Sequence, residues 1–315
     1  MSRGAPHVAL VVAQTDSTRR VLTEAVHEAG GVVCEVADAD ALVWTDPRDP
    51  EGLRAVLRSS PARWVQLPFA GIEPFMAAGV VDPDRVWTCA KGIYAESCAE
   101  HALAFMIMAA HQIHRHLRAR SWVDESQKTS ERRFHGRATV AVVGTGGIGS
   151  RLARMLGPLE ARVIGVNRSG TALEGAERTV VVDRLPVVLP EADFVVVAAA
   201  LTDSTRGLFD AHMLARMRSD AWLVNVARGG LVDTQALVGA LSAGALGGAA
   251  LDVTDPEPLP RDHPLWSMDN VIITPHVANT WAMGLPALRG LVARNVAAFA
   301  RGGPLEGLVD PELGY

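Results

Sequence analysis

Two successive series of short apolar runs, alternating with amphipathic stretches, constrain the fold of this chain more than any other feature. In the first series, residues 7–13, 32–36, 41–45, 64–67 and 86–89 read as strands. Residues 17–29, a segment near 50–59 and a short one near 73–78 read as helices between them. In the second series the strands are 139–143, 163–166, 194–199, 221–226, 248–253 and 271–274, with helical stretches between most of them. Alternation of this kind means parallel sheets with helices on both faces. Residues 96–120 read as one long helix between the series, and 281–301 as a final helix ended by Gly302-Gly303-Pro304.

At 315 residues the chain exceeds the ~100–200 of a usual domain, so two domains are expected. The expected fold class is α/β, with a doubly wound Rossmann sheet in the second series and a smaller flavodoxin-like unit in the first. Hydrophobic residues at 49% and charged residues at 21% supply a sizeable core and argue against disorder. The formal net charge of −5 argues against a nucleic-acid or anionic-membrane surface. The one basic run, residues 114–120, reads as a solvated helix end. Cys34, Cys89 and Cys98 are too few and scattered for a disulfide framework or zinc knuckle and suit a reducing compartment. Met1 to His7 leads straight into a strand, and no apolar run reaches the ~20 residues of a membrane span. A soluble, cytoplasmic protein is expected.

Gly144-Thr145-Gly146-Gly147-Ile148-Gly149 follows a strand and opens a helix. In that context the glycines permit a tight turn, backbone approach to a pyrophosphate and close helix–strand packing. The diphosphate then meets free N–H groups at a helix N-terminus. The next strand should end in an acid if a ribose 2′-hydroxyl is to be bound, yet Asn167-Arg168-Ser169 stands there. No carboxylate repels a 2′-phosphate, and a guanidinium and hydroxyl can receive one, so NADP(H) is favoured over NAD(H). The other reading of Arg168 is a solvated loop arginine.

Arg228, Glu257 and His276 each sit in a short signature: NVARGGLVD (225–233), ALDVTDPEP (250–258) and ITPHVANT (273–280). Reduction of a 2-oxo acid needs its carboxylate held, its carbonyl polarised and a proton supplied. The planar donor fork of Arg228 suits the first two needs. His276, with Pro275 stiffening the backbone before it, suits the third. Glu257 would hydrogen-bond the other imidazole nitrogen and fix its tautomer. Taken singly, an Arg is usually a surface charge, a His a satisfied polar residue, and a Glu between prolines a solvated turn.

With the glycine turn, these signatures resemble the D-isomer-specific 2-hydroxyacid dehydrogenase family over nearly the whole chain. The family's catalytic residues are an Arg, a Glu and a His in that order. The resemblance implies a discontinuous substrate-binding domain, 1–95 and 284–315, with the NAD(P)-binding domain, 96–283, inserted between. It implies cofactor contacts from Ala200, Leu201 and Thr205, from Val226 and Ala227, and from Asn279. Asp252 would meet the nicotinamide carboxamide, with a structural cap as the alternative. Two loops of the first domain, Ala70-Gly71 and Lys91-Gly92-Ile93, would present N–H groups to the substrate carboxylate, Lys91 adding a charge or simply facing water. Phe69, Tyr94 and Trp281 read either as pocket or as core, and Trp281 departs from the smaller or acidic residue expected after Asn-Thr. His101 reads as structural. His111 and His114 share a helical face without an accompanying acid or thiol, so no metal is expected. The long helix implies a two-fold homodimer.

The leading expectation is an NAD(P)-dependent reductase of small 2-oxo acids such as glyoxylate, hydroxypyruvate or larger homologues. Formate- and phosphite-type dehydrogenases share the Arg/Glu/His plan and remain alternatives. A dinucleotide-sensing corepressor shares the motifs too, but is expected to carry a partner-docking extension beyond Tyr315.

Overall fold

The computed structural model describes residues 4–122, 124 and 131–310. The chain divides into two compact units, one of residues 1–94 and 281–315, the other of residues 95–280.

In the first unit the strands β1 (His7–Val11), β2 (Val32–Cys34), β3 (Ala41–Trp44), β4 (Trp64–Gln66) and β5 (Val86–Thr88) form one sheet in the order β2-β1-β3-β4-β5. All neighbours are parallel. Helix α1 (Asp16–Glu28) is capped by Thr15 and packs beside the last helix, α10 (Trp281–Arg301). Leu22 and Val26 from α1 join Leu288, Leu291, Val292 and Val296 from α10 over one face of the sheet. The helices α2 (Pro50–Leu57) and α3 (Glu73–Ala77) cover the other with Leu53, Leu57 and Phe75. The chain after α10 closes the sheet edge: Cys89 N–H donates to Gly307 O and Val309 N–H to Trp87 O, antiparallel to β5.

The second unit opens with α4 (Ala95–Ala110) and α5 (Ile113–Ala119). Its sheet holds β6 (Thr139–Val143), β7 (Arg162–Asn167), β8 (Arg178–Val181), β9 (Phe194–Val197), β10 (Trp222–Asn225), β11 (Gly248–Leu251) and β12 (Val271–Ile273). The order is β12-β11-β10-β9-β6-β7-β8, all parallel. Helices α6 (Gly147–Leu156), α7 (Leu185–Val188), α8 (Ala211–Leu214) and α9 (Thr234–Ser242) connect the strands. The order reverses at β6, where the chain leaves toward β7 and later returns to β9 on the other side. That reversal opens a crevice at the carboxyl ends of β6 and β9, where open α/β sheets bind their ligands.

The α/β class with parallel sheets is borne out, and two local expectations are corrected. The helix expected over 96–120 is two helices, because Gln112 takes a left-handed φ of 52° and its side chain donates to Ala109 O at 2.8 Å. The redirected α5 stacks buried His114 edge-on against Trp222 and aims Arg118 at the carbonyls of Met268 and Val271. The basic run is therefore partly anchored rather than wholly solvated. The second sheet also has a strand more than expected: β8 is a four-residue edge strand with no fully buried position, so it lacks the continuous apolar run of its neighbours.

Candidate active site

Within the second unit the sequence-selected residues gather at the carboxyl edge of the sheet, each on the loop after a strand. The turn after β6 carries Gly144 with φ 97°, and a Cβ there would lie 2.5 Å from the Ala198 carbonyl carbon and the Ala199 nitrogen, on the loop after β9. Gly149 packs equally tightly, since its Cβ would lie 2.1 Å from Gly144 O. Gly146 differs: a Cβ there meets nothing within 4 Å. It caps α6 without a side-chain hydrogen bond, ahead of Gly147 and Ile148, so main-chain donors face open space. This cradle fits a dinucleotide pyrophosphate.

Asn167 ends β7 and is built into the turn. Its Nδ2 donates to Thr145 Oγ1 and to Thr171 O, both at 2.8 Å, while its Oδ1 accepts from Gly170 N–H. Arg168 and Ser169 are exposed beside it, Ser169 Oγ lying 2.7 Å from Thr171 Oγ1. After β9, Ala200 is exposed and Leu201 half-buried. Thr205 ties that loop together, donating to Ala200 O at 2.7 Å and accepting from Thr202 N–H at 2.8 Å.

After β10, Val226 and Ala227 are buried and lead to half-buried Arg228. Asn225 holds this turn: its Oδ1 accepts from Ala227 N–H, and its Nδ2 donates to Arg228 O at 2.9 Å. Arg228 Nη1 donates to Ala227 O at 2.7 Å. The next residue must be glycine, because a Cβ on Gly229 would lie 2.0 Å from Thr254 O. The Arg228 turn thus packs directly on the loop after β11, which carries Glu257 between two cis peptides, Asp255–Pro256 and Glu257–Pro258.

After β12 comes His276, exposed and with a left-handed φ of 54°. Its Nδ1 lies 2.6 Å from Glu257 Oε1. A carboxylate only accepts, so Nδ1 carries the proton and Nε2 is left for other chemistry. Asp252, 2% exposed at the end of β11, accepts from the hydroxyl of Thr274 and the N–H groups of Val277 and Ala278. Asn279 Oδ1 accepts from Ser97 Oγ on α4 at 2.9 Å.

The same helix brings two titratable groups beside Asp252. Burial pushes the His101 imidazole down, and the Asp252 charge opposes it. Burial and then Asp252 push the Cys98 thiol up to about 11, with Ser97 and Arg228 opposing. Neither His101 nor Thr274 stood out in the sequence as functional, although Thr274 lies two residues before His276. A separate cavity of about 440 Å³, lined by Arg132, Phe134, Arg137, Asp193 and Phe194 among others, lies at the opposite, amino edge of this sheet. Open α/β sheets do not place their ligands there.

The loop residues of the first unit have their own settings. Ala70 is exposed and Gly71 half-buried, Gly92 is exposed with φ 86°, and Ile93 is half-buried. Lys91 Nζ donates to Leu308 O at 2.7 Å. Tyr94 is buried with its hydroxyl donating to Pro68 O, and Trp281 Nε1 donates to Thr18 Oγ1 at 3.0 Å. Phe69 stacks on both rings, so all three aromatics serve this unit's core. Among the described residues no group of acids, histidines and cysteines is arranged to hold a metal, and no helix is long and apolar enough to cross a membrane.

An imidazole–carboxylate pair and an arginine turn on neighbouring strand ends, along the edge that also carries a dinucleotide cradle, fit the chemical needs of hydride transfer. The class is that of nicotinamide-dependent oxidoreductases. Residues 102–278 match the family described as D-isomer specific 2-hydroxyacid dehydrogenase, NAD binding domain, and the chain belongs to that family. It is an NAD(P)-dependent oxidoreductase of the 2-hydroxyacid type. The chain is 41% identical over 302 residues to a protein from the proB 3′ region of Corynebacterium melassecola, covering 93% of this chain and 96% of that one. It is 34% identical over 230 residues to a glyoxylate reductase of Pyrococcus furiosus, covering 70% and 68%. Its fold resembles a D-isomer specific 2-hydroxyacid dehydrogenase of Xanthobacter autotrophicus solved with NADPH and MES. The TM-score is 0.85 at 28% identity, covering 99% of this chain and 100% of that one.

Proposed function

We propose that the chain reduces small 2-oxo acids of the glyoxylate and hydroxypyruvate class to D-2-hydroxy acids, with NADP(H) preferred to NAD(H). The observation that carries this reading is the 2.6 Å His276–Glu257 pair, the Glu257 loop packing directly on the Arg228 turn. The glyoxylate reductase relative supports the substrate class.

When bound, the nicotinamide nucleotide supplies or receives the hydride. Arg228 binds the substrate carboxylate and polarises the carbonyl through its donor fork. His276 Nε2 donates a proton to the carbonyl oxygen during reduction and takes it back during oxidation. Glu257 fixes the imidazole's tautomer and orientation. Main-chain N–H groups of Ala70, Gly71, Lys91, Gly92 and Ile93 bind the carboxylate, which makes the first unit the substrate-binding domain and the second the cofactor-binding domain.

The cofactor is held by residues 144–149 at its diphosphate and by Arg168 and Ser169 at the 2′-phosphate. Asn167 sets the shape of that turn through its bonds to Thr145, Gly170 and Thr171. Ala200, Leu201, Thr205, Val226, Ala227 and Asn279 complete the cofactor contacts. Asp252 Oδ2, with one main-chain donor, has an acceptor position left for the carboxamide. A homodimer and a cytoplasmic location complete the proposal. Ile113 and Leu117, exposed on α5, supply apolar surface for a two-fold contact.

A panel of 2-oxo acids assayed with NADPH and NADH tests the activity. Failure of every acid to oxidise either cofactor would reject it. Replacement of His276 by Ala should cost ~10²–10⁴-fold in turnover, and Arg228→Lys should raise KM and lower kcat together.

A further inference from the structure

The left-handed backbone at His276 is uncommon for a residue other than glycine, and it persists only where the surroundings over-determine it. Here one residue does most of the holding, with Thr274 O also accepting from His276 N–H at 3.0 Å. Asp252 O accepts from His276 N–H at 2.8 Å, Oδ1 from Val277 N–H at 2.8 Å, and Oδ2 from Ala278 N–H at 2.9 Å. Three consecutive main-chain donors therefore converge on Asp252.

The carboxylate is itself held from behind. Thr274 Oγ1 donates to Asp252 Oδ1 at 2.6 Å. His101 Nε2, on α4, lies 2.9 Å from Thr274 Oγ1 and 3.6 Å from Asp252 Oδ1. Since the carboxylate can only accept, the hydroxyl proton of Thr274 points at Asp252, and Thr274 Oγ1 must accept from His101 Nε2–H. The bonds run one way, His101 to Thr274 to Asp252, each polarising the next. His101 is fixed in turn by its edge-on contact with Phe105, 4.4 Å between centroids.

We propose that His101 and Thr274 are positioning residues for His276, acting through Asp252 to hold the imidazole at its working angle. The proposal rests on the reading of His276 as proton donor. Burial disfavours the charged form of the His101 ring, and Nε2–H serves as the donor to Thr274 in either form. Displacement of a catalytic group slows the chemical step more than it weakens substrate binding, because Arg228 sits on a different loop.

The test is steady-state kinetics of the full chain with glyoxylate, or with hydroxypyruvate if that is the better substrate, and NADPH. Both His101→Leu and Thr274→Val should lower kcat by about ten- to a hundredfold with KM for the 2-oxo acid changed little. The amide donor of His101→Gln can reach Thr274 and should restore kcat to within about threefold of wild type. In a His276→Ala background, adding His101→Leu should lower kcat no further. Wild-type kcat in both single variants, or a full additional loss in the His276→Ala background, would overturn the proposal. If His276→Ala alone turned over at the wild-type rate, the proton-donor reading would fall and take the positioning role with it. The single His276 variant therefore tells the two failures apart.

Discussion

Glu257 Oε1 and His276 Nδ1 meet at 2.6 Å although they belong to different strand ends, one following β11 and the other β12. Both side chains remain substantially exposed, at 39% and 47%, so geometry rather than burial defines the pair. An acceptor on Nδ1 leaves Nε2 for the proposed proton transfer, and removal of the acceptor frees the ring to rotate. We expect Glu257→Ala to lower kcat by ~10²-fold. The neutral amide of Glu257→Gln keeps a weaker acceptor, so its loss should be smaller. Steady-state kinetics on both variants checks the order wild type, Gln, Ala.

Arg168 is exposed, with no hydrogen bond or ion pair to another described residue, next to the cradle of residues 144–149. A hydrogen bond from a charged donor contributes ~1.5–3 kcal/mol, about ten- to hundredfold in affinity. Screening at an exposed site favours the low end, about tenfold. NADPH should therefore exceed NADH in kcat/KM, and Arg168→Asp should erase or invert the ratio. Equal or better efficiency with NADH in the wild type would show that Arg168 faces solvent.

Burial lowers the pKa of both His101 and His114 below the ordinary 6.5. As pH falls through that value the unfolded chain takes up protons that the folded chain refuses, so stability is present above about 6.5 and lost below it. Thermal melts should show Tm falling between pH 8 and pH 5.5. In His114→Phe, which keeps an aromatic ring against Trp222, the fall should be smaller.

Asn295 on α10 is fully buried, and it joins the sheet to the segment after the helix. Its Nδ2 donates to Gln66 Oε1 and Glu306 O, and its Oδ1 accepts from Glu306 N–H at 2.8 Å. Asn295→Leu leaves the Glu306 N–H and carbonyl without these partners and should destabilise the chain by ~1–3 kcal/mol. Urea unfolding with an unchanged m-value would measure it, with the first unit's tryptophans, such as Trp64, as reporters.

The parallel-sheet class was legible because buried strands leave continuous apolar runs, as at 194–197 and 222–224. The glycine turn was legible because the left-handed φ of 97° at Gly144 and the close approach of Gly149 to Gly144 O are needs of the turn itself. What escaped depends on contacts between distant residues. The break at Gln112 has no glycine or proline to announce it; what fixes α5 beyond the break is the contact of His114 with Trp222. Strand β8 hid because its edge position leaves Arg178, Thr179 and Val180 half-buried and Val181 exposed, so no run of buried apolar residues marks it. The anchoring of Asn167 by Thr145 and of Thr274 by His101 joins residues 22 and 173 positions apart, beyond the reach of any local pattern.

The first unit takes its strands from residues 7–88 and much of one core face from α10. During synthesis its five strands are complete well before Leu288, Leu291, Val292 and Val296 exist to cover them. At ~5–20 residues per second, the intervening residues 95–280 take roughly ten to forty seconds to add. Through that interval Val8, Leu10, Val43 and Trp64 lack their α10 partners, and the edge of β5 is open for pairing with another chain. The second unit, contiguous in sequence, has no such wait. The face of the first unit's sheet that α10 covers can therefore be completed only after every residue of the second unit has been added.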